Sequence, residues 1–151
     1  RVRSVASDDL ADADVAERQA RPATAAVRTA VDVPLRERCV TTVDAQSTGS
    51  AVLVLLEYAD GVAGFDALGE PGRPAEDVGE SAAGDAVAFH EGPGVVDEYA
   101  GDQLVLPLSL CGGRARLAAV TDHVETNVDV ARAFGFDLSL EEHDVGAVLS
   151  G

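Results

Sequence analysis

Two short runs in the second half of the chain carry side chains suited to phosphoryl chemistry. In His123-Val124-Glu125-Thr126-Asn127 a histidine follows a predicted strand and precedes a Thr-Asn pair that can open a helix. A helix N-terminus offers free N–H groups and the positive end of the dipole to a phosphate. An imidazole at that end is placed to offer a ring-nitrogen lone pair to a phosphorus atom. In Asp97-Glu98-Tyr99-Ala100-Gly101-Asp102-Gln103 a carboxylate and an amide stand at the head of an apolar helix. Gln103 can hydrogen-bond a nucleobase or a phosphate, while Asp102 can orient a hydroxyl, a guanidinium or a metal-bound water. Each run also has a purely structural reading: a histidine closing a strand, and a polar first turn whose Asp97 and Glu98 suit the dipole. On spacing alone the structural readings come first.

Other candidates carry less. His90 sits at a helix end beside a Gly-Pro turn and His143 among acids, both simplest as solvated residues. The segment Gly61 to Arg73 holds four glycines and a proline. It lacks the Walker spacing and any lysine, so it predicts a wide loop rather than a phosphate cradle. Cys39 and Cys111 have neither metal-ligand spacing nor a disulfide framework and read as buried or free thiols in a reducing cytosol.

The elements that must position these side chains follow from pattern. Val2 to Ala6 reads as a strand, and Asp12 to Ala30 as a helix with Val15, Ala26, Val27 and Ala30 inward and a kink or split at Pro22. Arg38 to Val43 and Ala51 to Tyr58 are strands, the second nearly all apolar and therefore predicted to be buried. Pro74 opens a helix to about Phe89. Glu91-Gly92-Pro93-Gly94 is a break. A helix from Asp97 to about Leu110, with a kink at Pro107, ends at Gly112-Gly113. Arg114 to Val120 is a strand, Thr126 to Phe134 a helix capped by Thr126 or Asn127, and Phe136 to Leu140 a strand before a weaker one. This order gives an α/β or α+β layered fold.

Composition speaks to habitat. The 151 residues carry a net charge of −16, and all eleven basic residues are arginine. An acidic, lysine-free surface with small apolar residues reads as halophilic, since carboxylates hold water while salt mutes their repulsion. Such acidity usually argues against a nucleic-acid partner, but in a halophile only the local site is diagnostic. No apolar run reaches membrane-spanning length and the first residues are not organised as a signal peptide, so a soluble, cytoplasmic protein is expected.

Taken in order, four blocks resemble the C-terminal part of the RNA 3'-terminal phosphate cyclase family. Gly64 to Glu70 with Gly72 to Gly79 resembles the family's glycine-rich loop and following helix. Val96 to Leu104 resembles its adenine-nucleotide segment, His123 to Asn127 its nucleophile motif, and Val15 to Gln19 a helix of its inserted domain. The resemblance implies a small thioredoxin-like βαββα inserted domain over residues 1–92. It implies that residues 93–151 form the last αβαβ part of the main catalytic domain. It further implies ATP and a divalent metal ion as cofactors, His123 as the residue adenylylated, and Tyr99, Ala100, Gly101, Asp102 and Gln103 as the ATP-contacting run. The substrate would be an RNA 3'-phosphate end, converted to a 2',3'-cyclic phosphate.

Two departures bear on this. Pro71 stands where the family usually has arginine after Leu-Gly-Glu. The chain also begins at Arg1 without a methionine, so the resemblance implies that the rest of the catalytic domain lies upstream and that the chain does not turn over alone. The other reading is a non-catalytic cyclase-like protein of ribosome biogenesis. Those relatives lack the nucleophilic histidine, which this chain keeps.

Overall fold

The computed structural model describes residues 1–32, 34–59, 61–93, 95–97 and 99–151, so Glu98 of the predicted helix head and Gly94 of the predicted break lie outside the described residues. The chain divides into two units, Arg1–His90 and Glu91–Gly151.

In the first unit, strand β1 (Val2–Ser7) leads through a 3₁₀ turn (Asp8–Ala13) into helix α1 (Val15–Ala30), then β2 (Arg38–Val43), β3 (Ser50–Glu57), β4 (Val62–Leu68) and α2 (Ala75–Glu91). The sheet runs β2-β1-β3-β4, with β1 and β2 parallel and the other pairs antiparallel. A β-α-β half thus joins a β-β-α half, a thioredoxin-like α+β layout. The register places Ser4 opposite Val52 and Val2 opposite Val54, and Val54 opposite Phe65. These residues share the face that the helices cover. α1 buries Ala16, Gln19, Ala20, Ala23 and Val27, and α2 buries Ala75, Val78, Gly79, Ala82, Ala83 and Ala86. The small residues bring the two helices close, because an added Cβ at Gly79 would stand 2.1 Å from the carbonyl oxygen of Gln19. Arg18 fixes the same crossing by donating to both carboxylate oxygens of Glu76, at 2.7 and 2.8 Å. Gln19 is fully buried yet satisfied: Ser4 Oγ donates to its Oε1 at 3.0 Å and its Nε2 donates to Ser50 Oγ at 2.7 Å.

Several expectations are corrected here. The glycine-rich segment is a strand over Val62–Leu68, because alternate residues pack onto β3, and the turn waits until Glu70–Arg73. Pro71 sits in that turn, with Arg73 N donating to Glu70 O at 3.1 Å. β3 is buried on one face only: Val52, Val54 and Leu56 are inside while Leu53 and Leu55 are half-buried. α1 begins at Val15 rather than Asp12, after Asp14 adopts a left-handed conformation. It continues through Pro22 without splitting, and Ala30 faces outward.

The second unit holds α3 (Gly101–Cys111), β5 (Arg114–Leu117), α4 (Asp122–Ala133), β6 (Ser139–Glu142) and β7 (Ala147–Ser150). Its antiparallel sheet has the order β5-β7-β6, and Val96 forms a parallel bridge to Leu117. Its core gathers Val105, Leu117, Val124, Val128, Ala131, Leu138 and Leu149. The predicted strand Phe136–Leu140 shifts to Ser139–Glu142. Cys39 is half-buried and Cys111 exposed, both free. No described helix is long and apolar enough to cross a membrane.

Candidate functional site

The head of α3 is organised by Asp97. Its Oδ1 accepts from the backbone N–H of Tyr99 at 2.9 Å and of Ala100 at 2.7 Å, so a side chain satisfies donors that helix geometry leaves open. The helix therefore starts at Gly101 rather than Asp97, with Ala100 at its N-cap. Tyr99 is 77% exposed, and Gln103, also exposed, commits one amide N–H to Tyr99 O at 3.3 Å. Asp102 is half-buried. Its Oδ1 is enclosed and has no hydrogen-bond partner among the described residues.

The head of α4 differs from expectation. Thr121 is the N-cap, its Oγ1 accepting from Val124 N at 3.3 Å. Thr126 and Asn127 are exposed residues in the body of the helix and cap nothing. His123 thus stands inside the first turn as its second residue, not in the loop before it. Val124, Val128 and Ala131 are the buried residues, and their i, i+4, i+7 spacing is the signal that places the cap at Thr121. His123 is exposed and makes no hydrogen bond or ion pair among the described residues.

The two heads meet. An added Cβ at Gly101 would lie 3.3 Å from Val124 Cγ2 and 3.7 Å from Leu117 Cδ2. A glycine here lets the first turn of α3 rest closely on that of α4, since a larger side chain would require Val124 to give way. Gly101 and Val124 form the buried seam, while their neighbours Asp102 and His123 are carried beside it. The sequence reading missed the roles of Asp97, Thr121 and Gly101's packing. Asp97 alone had a legible signal, an acid shortly before a helix.

The electrostatics constrain what can bind. Asp97 and Asp102 stand at the head of α3, and Asp122 and Glu125 in the first turn of α4. A polyphosphate meets like charge there unless a cation accompanies it. Among the described residues no group of three or more His, Cys, Asp or Glu is placed to hold a metal ion. Asp102 Oδ1 is the enclosed carboxylate oxygen without a hydrogen-bond partner among the described residues.

The model of the RNA 3'-terminal phosphate cyclase (RTC) insert domain matches residues 1–91. The chain is 45% identical over 146 residues to the RNA 3'-terminal phosphate cyclase of Halobacterium salinarum, covering 97% of this chain and 40% of that relative. It is 35% identical over 122 residues to the protein of the same name from Pyrococcus furiosus, covering 81% of this chain and 35% of that relative. With that of Gloeothece citriformis it shares 38% over 114 residues, 72% of this chain and 31% of that relative. The chain spans about two fifths of the length of the curated relatives it matches.

Proposed function

The chain belongs to the RNA 3'-terminal phosphate cyclase family, and from that premise we propose that it supplies the histidine nucleophile and part of the ATP surface of such an enzyme. The observation that carries the reading is the seam between Gly101 and Val124, which brings the heads of α3 and α4 together and leaves His123 open on the outer side.

His123 uses a ring-nitrogen lone pair to attack the α-phosphorus of ATP, forming a P–N bond as the P–O bond to pyrophosphate breaks. The phosphoramidate is labile, so an oxygen of the RNA 3'-phosphate takes the AMP and returns the electron pair to the imidazole. The vicinal 2'-hydroxyl then loses its proton and attacks the phosphorus of the RNA 3'-phosphate, whose bond to the AMP oxygen breaks, releasing AMP and closing the 2',3'-cyclic phosphate. Position in the first turn of α4 holds the ring where free N–H groups and the helix dipole favour phosphate. Tyr99 to Gln103 line the nucleotide, with the second N–H of Gln103 available to a base or ribose acceptor. A divalent ion, when bound, supplies the positive charge that the acids at both heads call for, and Asp102 is the residue of this chain suited to hold it. The protein acts in aqueous, salt-rich cytoplasm, in keeping with its acidic, lysine-free composition.

The test uses a full-length cyclase in which this chain supplies its matching segment, assayed in molar salt. An RNA end-labelled at its 3'-phosphate is incubated with ATP and Mg or Mn, then treated with phosphatase. ATP-dependent protection of the label supports the reading. Label fully removed, with the protein shown to be folded, refutes it.

A further inference from the structure

We propose that the Arg1–His90 unit binds single-stranded RNA in a groove between the C-terminal end of α1 and the end of β3, stacking a base on Tyr58 and His90 and pairing phosphates with Arg28 and Arg36. The groove has a volume of about 240 Å³, below that of most small-molecule sites and suited to a single planar base. Val27, Val31 and Leu35 give it an apolar part against which a base can pack, and its polar groups are the side chains of Arg1, Arg28, Arg36, Glu57, Tyr58 and His90. The rings of Tyr58 and His90 are stacked at its edge, with centroids 6.1 Å apart and planes at 21°, and Tyr58 Oη lies 3.2 Å from His90 Nδ1. Phe89 braces Tyr58 edge-on at 6.3 Å. The platform is accessible, since Tyr58 is 44% exposed and His90 and Arg28 are exposed as well.

Charge picks out the ligand. The chain has 27 acidic residues against 11 arginines, yet Arg1, Arg28 and Arg36 all line this groove with Glu57 as its one lining acid among the described residues. Glu57 pairs with Arg1 at 2.8 Å and with Arg36 at 3.7 Å, and Glu37 lies 3.7 Å from Arg1, while Arg28 has no ion pair among the described residues. A solvated helix end accounts for Arg28 by itself. It does not account for three arginines beside a stacked aromatic pair over an apolar slot. Stacking platforms flanked by cations are how proteins hold single strands without reading sequence. The choice of RNA as the polyanion rests on the cyclase reading; the groove itself does not include His123.

The experiment is fluorescence anisotropy of a short fluorescein-labelled oligouridylate titrated with the 151-residue chain, at salt concentrations where circular dichroism shows it folded. Tyr58→Ala is expected to weaken binding about fivefold or more, and Tyr58→Phe, which keeps the ring, to bind as the wild type does. Arg28→Ala and Arg36→Ala are expected each to weaken binding and to reduce the logarithmic salt dependence by about 0.7. Arg114→Ala, in the other unit, should change nothing, and because the titration contains no ATP its failure is distinguishable from a failure of the catalytic reading. The proposal is overturned if the wild-type chain does not bind. It is also overturned if folded Tyr58→Ala and Arg28→Ala bind as tightly as wild type, or if an RNA duplex binds equally well.

Discussion

Gly101 and Val124 touch across the heads of two helices, with only 3.3 Å between Val124 Cγ2 and the place a Cβ would occupy on Gly101. Val124 is fully buried. That contact ties the run Tyr99 to Gln103 to the turn that bears His123 within one packed unit.

Gly101→Leu should force the two heads apart. Overpacking at a buried seam costs about 2 kcal/mol, readable as a lower unfolding midpoint of the second unit. Adenylylation of His123 should fall roughly 100-fold, since displacement of a reacting group by about an ångström is enough. Gly101→Ala should be mild by comparison, because helix propensity offsets part of the crowding. Equal effects of alanine and leucine would contradict the packing argument.

Thr121→Ala should cost about 1 kcal/mol of stability through loss of the cap to Val124 N, and Thr121→Ser should restore it. Thr126→Ala, on the exposed body of α4, should stay within about 0.5 kcal/mol of wild type. Chemical denaturation of the three variants separates the observed cap from the one expected at Thr126.

Local chemistry made some of the fold legible and left the rest hidden. The strand over Ala51 to Tyr58 and the Pro74 start of α2 could be read directly, whereas the one-sided burial of Val52, Val54 and Leu56 was hidden by the continuous apolar run. β4 could not, because its strand character comes from pairing with β3 rather than from β-branched residues, and Gly64 and Gly69 spoke for a loop. Pro22 promised a break that tertiary packing of Ala20, Ala23 and Val27 overrides. The candidate site could be proposed from its residues, while its geometry could not. His123 and Asp102 were nameable from the runs that hold them, yet the cap at Thr121 and the seam at Gly101 depend on which face of α4 is buried.

Gly79→Ala should be among the most damaging single changes in the first unit. The new methyl would stand 2.1 Å from Gln19 O and 3.0 Å from Pro22 Cγ, and the oxygen belongs to backbone. We expect a loss of about 3 kcal/mol by denaturant titration. A variant as stable as wild type would mean that α1 and α2 do not cross at this point.

The Arg18–Glu76 pair predicts a pH signature. Hydrogen bonds from Arg18 hold the Glu76 carboxyl below the usual carboxylate range. A depressed folded-state value means the stabilisation is fully present above the unfolded value of about 4.3 and is lost as pH falls through the folded value. Glu76→Gln should therefore be less stable than wild type near neutrality, with the difference vanishing in acid. Because the pair is exposed, the difference should be small and shrink further in molar salt. A difference that grows on acidification would reverse the assigned sign.

Whether His123 is the nucleophile is settled most directly by labelling. A full-length cyclase carrying this chain's segment is incubated in molar salt with α-labelled ATP and a divalent ion, then denatured and separated by gel. The predicted result is an acid-labile AMP adduct on the protein that His123→Ala abolishes and His90→Ala and His143→Ala leave intact. A folded His123→Ala variant that still acquires the label would contradict it.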